Sequence, residues 1–185
     1  MERSVLERVY LESAVVQKGD YPYFINSISD GNPPVTKELL DEITDRFLSL
    51  GDLDCDIILA PEAMGIQYAA ALTLRTGIPF QVIRKRGHGL PGEIAFHKDT
   101  GYEGSEMYMN FVEPGTRAIL VDDVISTGGT LKATVRTLRE HGIVIDEALI
   151  ILNKSSDISS LMDEIGIRIR TLMDVAVRDG RPVIR

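Results

Sequence analysis

Cysteine is nearly missing from this chain: Cys55 stands alone among 185 residues. No internal disulfide can form, and the apolar neighbours of Cys55 predict a buried thiol. Histidine is scarce as well. His88, His97 and His141 show no metal-ligand spacing, so a histidine–cysteine zinc site is not expected. His141 ends a helical pattern and suits a helix-end charge, while His88 and His97 fall in a loop. Basic residues are in deficit, with 20 Lys and Arg against 28 Asp and Glu and a net charge of −8. That balance argues against a general nucleic-acid binder and against attachment to an anionic membrane. An anionic ligand must then be held by local donors or a metal. No apolar run reaches membrane length and no leader-like segment is visible, so a cytoplasmic protein is expected. Internal repeats and low-complexity tracts are absent. What is left is ordinary globular composition, 44% apolar and 26% charged, which predicts one domain over residues 1–185.

The most informative stretch begins at Arg117. Ala118-Ile119-Leu120-Val121 is a short apolar run, the signal of a buried strand. It ends in two adjacent carboxylates, Asp122 and Asp123. Ser126-Thr127-Gly128-Gly129-Thr130 follows, all small residues, and then Leu131, Val135 and Leu138 mark a helix. In an open parallel sheet, ligands bind beyond the carboxyl ends of the strands. Glycines let the backbone approach a ligand and aim several N–H groups at it. The helix starting near Thr130 adds roughly half a positive charge at its N-terminus. Together these make a phosphate site. The carboxylates cannot face the same phosphate; they suit hydroxyls, or a magnesium ion shared with a diphosphate. A phosphate at one end with vicinal hydroxyls behind it describes a ribose 5-phosphate. The Lys-Ser/Thr ending of a P-loop is absent, and so is Gly-x-Gly-x-x-Gly.

The rest of the chain alternates. Residues 1 to about 18 predict a short helix, broken at Gly19-Asp20-Tyr21-Pro22. Tyr23 to Ile28 is extended in character, and Asp30-Gly31-Asn32-Pro33-Pro34 is a loop. Thr36 reads as the N-cap of a helix to Leu50, with Leu39, Leu40, Ile43 and Phe47 inward. Asp56 to Ala60 is a strand, followed by Pro61-Glu62-Ala63-Met64-Gly65 and a helix from Ile66 to about Arg75. Pro79 to Ile83 is a third strand, ending in Arg84-Lys85-Arg86. Ile143–Leu152 is another strand, Leu161–Ile165 a short helix, and Ile167–Val177 a final strand before a tail. Alternating strands and helices predict an α/β fold with a mainly parallel central sheet flanked by helices.

Arg84 and Lys85 sit at a strand end in an acidic protein, where they suit a diphosphate, Arg84 above all. Residues 86–110 mix clustered charge, glycine and aromatics. They fit either a lid loop or a plain surface hairpin.

The run Val121-Asp122-Asp123-Val124-Ile125-Ser126-Thr127-Gly128-Gly129-Thr130 resembles the phosphoribosyl diphosphate (PRPP) motif of the type I phosphoribosyltransferases. The resemblance implies that Asp122 and Asp123 hold ribose hydroxyls and that Ser126, Thr127, Gly128, Gly129 and Thr130 wrap the 5-phosphate. Gly128 and Gly129 would then be glycine because the backbone meets that phosphate closely. Glu62-Ala63-Met64-Gly65 is similar to the diphosphate loop of adenine phosphoribosyltransferases, with Met64 in place of an arginine. The N–H groups of Ala63, Met64 and Gly65 could still serve. Leu90-Pro91-Gly92-Glu93 after Arg84-Lys85 extends the likeness. The run from Asp20 to Asn26 is similar to the hood of those enzymes, residues 1 to about 35 here. It offers Tyr23, Phe24 and Ile25 as base-binding residues, although Tyr23 and Phe24 equally suit a core.

The resemblance is closest to archaeal hypoxanthine/guanine phosphoribosyltransferases. It implies transfer of ribose 5-phosphate from PRPP to hypoxanthine or guanine, magnesium held mainly through PRPP, and a homodimer. Adenine as the base, or a non-catalytic PRPP sensor, are the alternatives. Ser126 replaces a carboxylate found in the bacterial and animal enzymes. The purine proton must therefore be handled elsewhere, and the lid offers Glu103 before Glu106, with Lys98 and Asp99 nearby. Asp123 is the further catalytic candidate.

Overall fold

The computed structural model describes residues 3–19, 21–51, 53–96 and 107–185. Its centre is a six-stranded sheet of order β10-β9-β8-β7-β3-β4. These strands are β3 (Ile57–Pro61), β4 (Phe80–Ile83), β7 (Arg117–Ile125), β8 (Val144–Asn153), β9 (Arg168–Arg178) and β10 (Arg181–Ile184). All neighbours pair in parallel except β10, which runs antiparallel to β9 along the edge. The tail expected after Val177 is thus a strand. Turn residues Asp179 and Gly180, both at positive φ, fold it back.

The central strands are buried on both faces, and period-two alternation sorts their side chains. Ile58, Ala60, Ile119, Val121, Leu149 and Ile151 meet one core. Leu59, Ala118, Leu120, Ala148 and Ile150 meet the other. The first core is closed by α1 (Val5–Leu11), α2 (Lys37–Ser49) and α3 (Gly65–Thr76), the second by α4 (Gly129–Glu140) and α5 (Ile158–Ile165). Thr36 caps α2 as expected, its hydroxyl accepting the Leu39 N–H at 3.3 Å, and Leu39, Ile43 and Phe47 are fully buried.

The N-terminal region departs from the expected short helix over residues 1 to about 18, since its second half is a strand. α1 starts at a Ser4–Glu7 capping box and stops after two turns. Ala14–Lys18 is β1, antiparallel to β2 (Tyr21–Ile25). Val15 and Val16 are β-branched and stiff at χ1, which favours a strand where the partner is so near. The hairpin is followed by a turn pinned to α3, where the Tyr68 hydroxyl donates to the Ile28 carbonyl at 2.7 Å.

Of the segment expected as lid or hairpin, β5 (Ile94–Phe96) and β6 (Met107–Met109) form an antiparallel pair. Residues 97–106 between them lie outside the described residues, and with them Glu103, Glu106, His97, Lys98 and Asp99.

Candidate functional site

β3 is paired with β4 on one side and with β7 on the other. The chain therefore leaves β3 in one direction and returns in the other, which makes the β3/β7 boundary a topological switch point. Such a boundary opens a crevice at the carboxyl ends of the strands. β7 is longer than β3. Ile57–Leu59 pair with Ala118–Leu120, while Asp122, Val124 and Ile125 pair onward with β8 alone. The edge of Asp122 and Asp123 facing α3 is thus bare of strand.

Gly65 sits where α3 meets that edge. A Cβ there would stand 2.7 Å from the Val121 carbonyl oxygen and 3.5 Å from Asp122 Oδ1. Only glycine lets the helix start this close. The preceding Glu62–Ala63 peptide is cis. Glu62 continues the β3–β4 ladder, its N–H donating to the Ile83 carbonyl at 2.8 Å. Its Oε2 accepts the Lys85 N–H at 2.9 Å. One side chain thereby joins the 61–65 loop to the end of β4. The sequence did not single it out, although an acid inside a loop facing a basic strand end was a signal.

Asp122 and Asp123 are partly buried neighbours. Asp122 Oδ1 accepts the Asp123 N–H at 2.9 Å. Burial raises the Asp122 carboxyl above its ordinary range. Burial first, and then the Asp122 charge, push Asp123 up to about 9. The pair thus holds a proton near neutral pH and can both donate to and accept from hydroxyls.

The turn that follows leads directly into α4. Gly128 is the N-cap of α4 at φ 75°, and the helix begins at Gly129, one residue before the expected Thr130. Gly128 is glycine for an internal reason. Its φ is left-handed, and a Cβ would lie 2.5 Å from Leu161 Cδ2. At Gly129 a Cβ would meet only Thr127 Oγ1, at 3.8 Å. Gly129 therefore faces open space, beside exposed Ser126 and Thr127. The turn lines a recess of about 180 Å³ together with Asp122 and Thr134.

Across from it, a cleft of about 460 Å³ joins these parts. Asp122, Asp123 and Thr130 form one wall, and Glu62, Ala63, Met64 and Lys85 another. Ser29 and Asp30, from the turn after β2, form a third. Lys85 lines this cleft and Arg84 does not. Arg84 is zipped to Tyr108 by main-chain bonds of 2.8 and 2.7 Å, and its Nε is buried without a partner among the described residues. A larger cavity of about 770 Å³ lies along the outer face of α4 by Lys132, Arg136 and Arg139. It touches the glycine turn but carries none of the carboxylates at the end of β7.

The hood residues are placed differently from one another. Phe24 is 4% exposed. Its ring meets Tyr10 edge-on at 5.3 Å, and the Lys154 ammonium lies 4.6 Å from its centroid. Of the two alternatives open at Phe24, this is the core one. Tyr23 stacks on it at 6.3 Å and donates to Asp30, and Ile25 is partly exposed. Lys154, just past β8, was also missed by the sequence reading, because a single lysine before Ser155-Ser156 carries no periodic signal.

Two bulk expectations can be set beside the structure. The Cys55 thiol is half-buried and pushed up to about 11, chiefly by burial, which leaves it unreactive. His141 caps α4 and bonds the Thr137 carbonyl through Nδ1 at 2.9 Å.

Residues 36–171 match the family model described as phosphoribosyl transferase domain. The hypoxanthine/guanine phosphoribosyltransferase of Methanohalophilus mahii is 46% identical over 97% of this chain and 95% of its own. That of Methanobacterium paludis is 43% identical over 97% and 95%. A protein of Haloquadratum walsbyi named HGPRTase-like protein 2 is 42% identical over 94% and 95%. Among solved structures, adenine phosphoribosyltransferase of Thermoanaerobacter pseudethanolicus superposes with a TM-score of 0.75. It is 21% identical, over 92% of this chain and 99% of that one. The Trypanosoma brucei adenine enzyme, solved with AMP, pyrophosphate and ribose-5-phosphate, gives 0.72 at 22% identity, over 92% and 79%. At that identity the likeness speaks for the fold alone.

Proposed function

The chain belongs to the phosphoribosyl transferase family, and from that premise we propose that it joins hypoxanthine or guanine to the ribose of PRPP, releasing diphosphate. One observation carries the reading. At the switch point of the sheet, a partly buried carboxyl pair and the 61–65 loop line a cleft of about 460 Å³, and the glycine turn at the start of α4 lines an adjoining recess that shares Asp122 and Thr130 with it. The names of the relatives at 42–46% identity favour 6-oxopurines over adenine.

In this reading the N–H groups at the start of α4, with Ser126, Thr127 and Thr130, hold the 5-phosphate. Asp122 and Asp123 hold the two ribose hydroxyls. Ala63, Met64, Gly65 and Lys85 hold the diphosphate, with Arg84 behind them. Magnesium fits this oxygen-lined cleft; held mainly through PRPP's own oxygens, it would neutralise the leaving group. The transition state gathers positive charge at ribose C1, so the chain's work is positioning and electrostatics. Residues 1 to about 35 act as a hood over the base, with Tyr23 and Ile25 among its contacts and Phe24 packed in the core beside them. Residues 86–110 act as a lid that excludes water from C1. Glu103 and Glu106, on that lid, stay proton-handling candidates. The protein works in the cytoplasm as a homodimer, a state that light scattering would read. No helix of the described residues is long and apolar enough to cross a membrane.

Turnover with PRPP and magnesium tests the reading, using hypoxanthine, guanine, adenine, xanthine and orotate in parallel. IMP and GMP are the expected products. A larger kcat/KM for adenine would move the assignment to AMP synthesis. PRPP binding without turnover of any base would leave a sensor.

A further inference from the structure

Four carboxylates line the cleft: Asp30, Glu62, Asp122 and Asp123. The last two are neighbours at the end of β7, where Asp122 accepts the Asp123 N–H. Glu62 is engaged by the Lys85 N–H. Asp30 comes from a different wall, the turn that follows the hood strand β2. It lies outside every motif that the sequence reading used.

Its carboxyl is fixed in direction. Oδ1 accepts the Tyr23 hydroxyl at 3.2 Å. Oδ2 accepts the Ser29 hydroxyl at 2.7 Å and the Asn26 N–H at 3.3 Å. The turn beneath it is fixed as well. Asn26 Oδ1 accepts the N–H groups of Ile28 and Ser29 at 2.8 and 3.0 Å, and Tyr68 on α3 holds the Ile28 carbonyl. A carboxylate offers about four acceptor sites. Among the described residues three donors are in place, which leaves one site, on Oδ1, open to a ligand. The Tyr23 hydroxyl ties this carboxyl to the hood strand β2.

We propose that Asp30 is a catalytic residue of the transfer described above: its carboxylate accepts the proton that the purine's imidazole ring must lose. The inference rests on the purine reading. In the step, N9 of the base bonds to ribose C1 as the C1–O bond to diphosphate breaks, and that electron pair leaves with the diphosphate. The proton on N7 passes to Asp30, and its bonding pair stays on N7. An immobile acceptor suits this role, because little reorganisation is needed as the proton moves. Asp30 thereby supplies, from the hood, the carboxylate that Ser126 does not.

Three measurements decide the matter. Wild-type transfer to hypoxanthine comes first; its absence overturns the purine reading and Asp30 together, which separates that failure from a failure of Asp30 alone. Single-turnover rates of Asp30→Asn come second. General-base loss predicts a chemical step about 10²-fold slower or more, with the KM for PRPP and the melting temperature close to wild type, and Asp30→Glu regaining part of the rate. A slowing of less than tenfold overturns the proposal. So does a loss that shows up in the PRPP KM or the melting temperature instead of the chemical step, since Asp30 would then be a clasp for the turn. The third needs no variant. 7-Deazahypoxanthine carries C–H where hypoxanthine carries the N7 proton, and should bind the wild-type protein with diphosphate present at least tenfold more weakly. Equal affinity for the two overturns the assignment.

Discussion

Asp123 shows how one residue ties stability to ligand binding. Its carboxyl is pushed from 3.8 up to about 9 by burial and by Asp122. A pKa raised in the folded state favours folding at low pH. That contribution is whole below about pH 4 and is lost as the pH rises through about 9. The ligand-free protein should therefore melt lower at pH 9 than at pH 6, and Asp123→Asn should flatten that difference. A pH dependence identical in both proteins would contradict it. The same variant should weaken PRPP use by about 1–3 kcal/mol in kcat/KM, the range for a charged hydrogen bond. Gly129 makes the complementary case. Nothing within the protein crowds its Cβ position more closely than 3.8 Å, so Gly129→Val should stay folded by far-UV dichroism. Calorimetry should nonetheless show PRPP binding abolished, because the side chain would occupy the place of the phosphate. Tight binding by that variant would mean that the phosphate lies elsewhere.

The glycine turn before α4 is held by an element that carries little signal of its own. α5 is eight residues long. Asp157 caps it by accepting the Ser160 N–H at 2.9 Å, and Leu161 projects from it onto Gly128. The expected helix, Leu161–Ile165, missed the first turn, because Ile158-Ser159-Ser160 has low helix propensity without its cap. Gly128→Ala combines a left-handed φ with a clash, costing at least about 2 kcal/mol, or about 4–8 °C of Tm in a chain of this size. Leu161→Ala alone should cost about 2–5 kcal/mol through the cavity it leaves. In the double variant the clash is gone. A double-mutant cycle should show coupling of about 1 kcal/mol or more in the stabilising direction, and strictly additive melting shifts would disprove the contact. β1 is the opposite lesson. Ala14–Lys18 is too short to show a period of its own, and only its pairing with β2 made it a strand.

At the scale of the molecule, two cores sandwich one sheet, and the two ends of the chain meet. The Tyr10 hydroxyl on α1 donates to the Ala176 carbonyl of β9 at 2.8 Å. Glu147 and Arg170 pair between β8 and β9, and Arg170 also reaches the Leu50 carbonyl after α2. Tyr10→Phe should lower unfolding free energy by about 0.5–1.5 kcal/mol, the net worth of one hydrogen bond; denaturant midpoints at unchanged m would show it. The sequence by itself determined the parallel α/β plan, because buried strands read as apolar runs: Ile57–Ala60, Ala118–Val121 and Ala148–Leu152 need no context. It determined the Asp122–Thr130 turn too, because a strand-to-helix turn is built from local backbone, and local backbone is written in consecutive residues. Tertiary structure decided whatever depends on distant neighbours. It set Asp30 and Glu62 in the cleft, turned Arg84 inward, buried Phe24 against Tyr10, and gave Gly128 its reason in Leu161. Each of those contacts joins residues separated by other elements of the fold or by a turn, and composition and period carry no information about which side chain a folded chain will bring alongside.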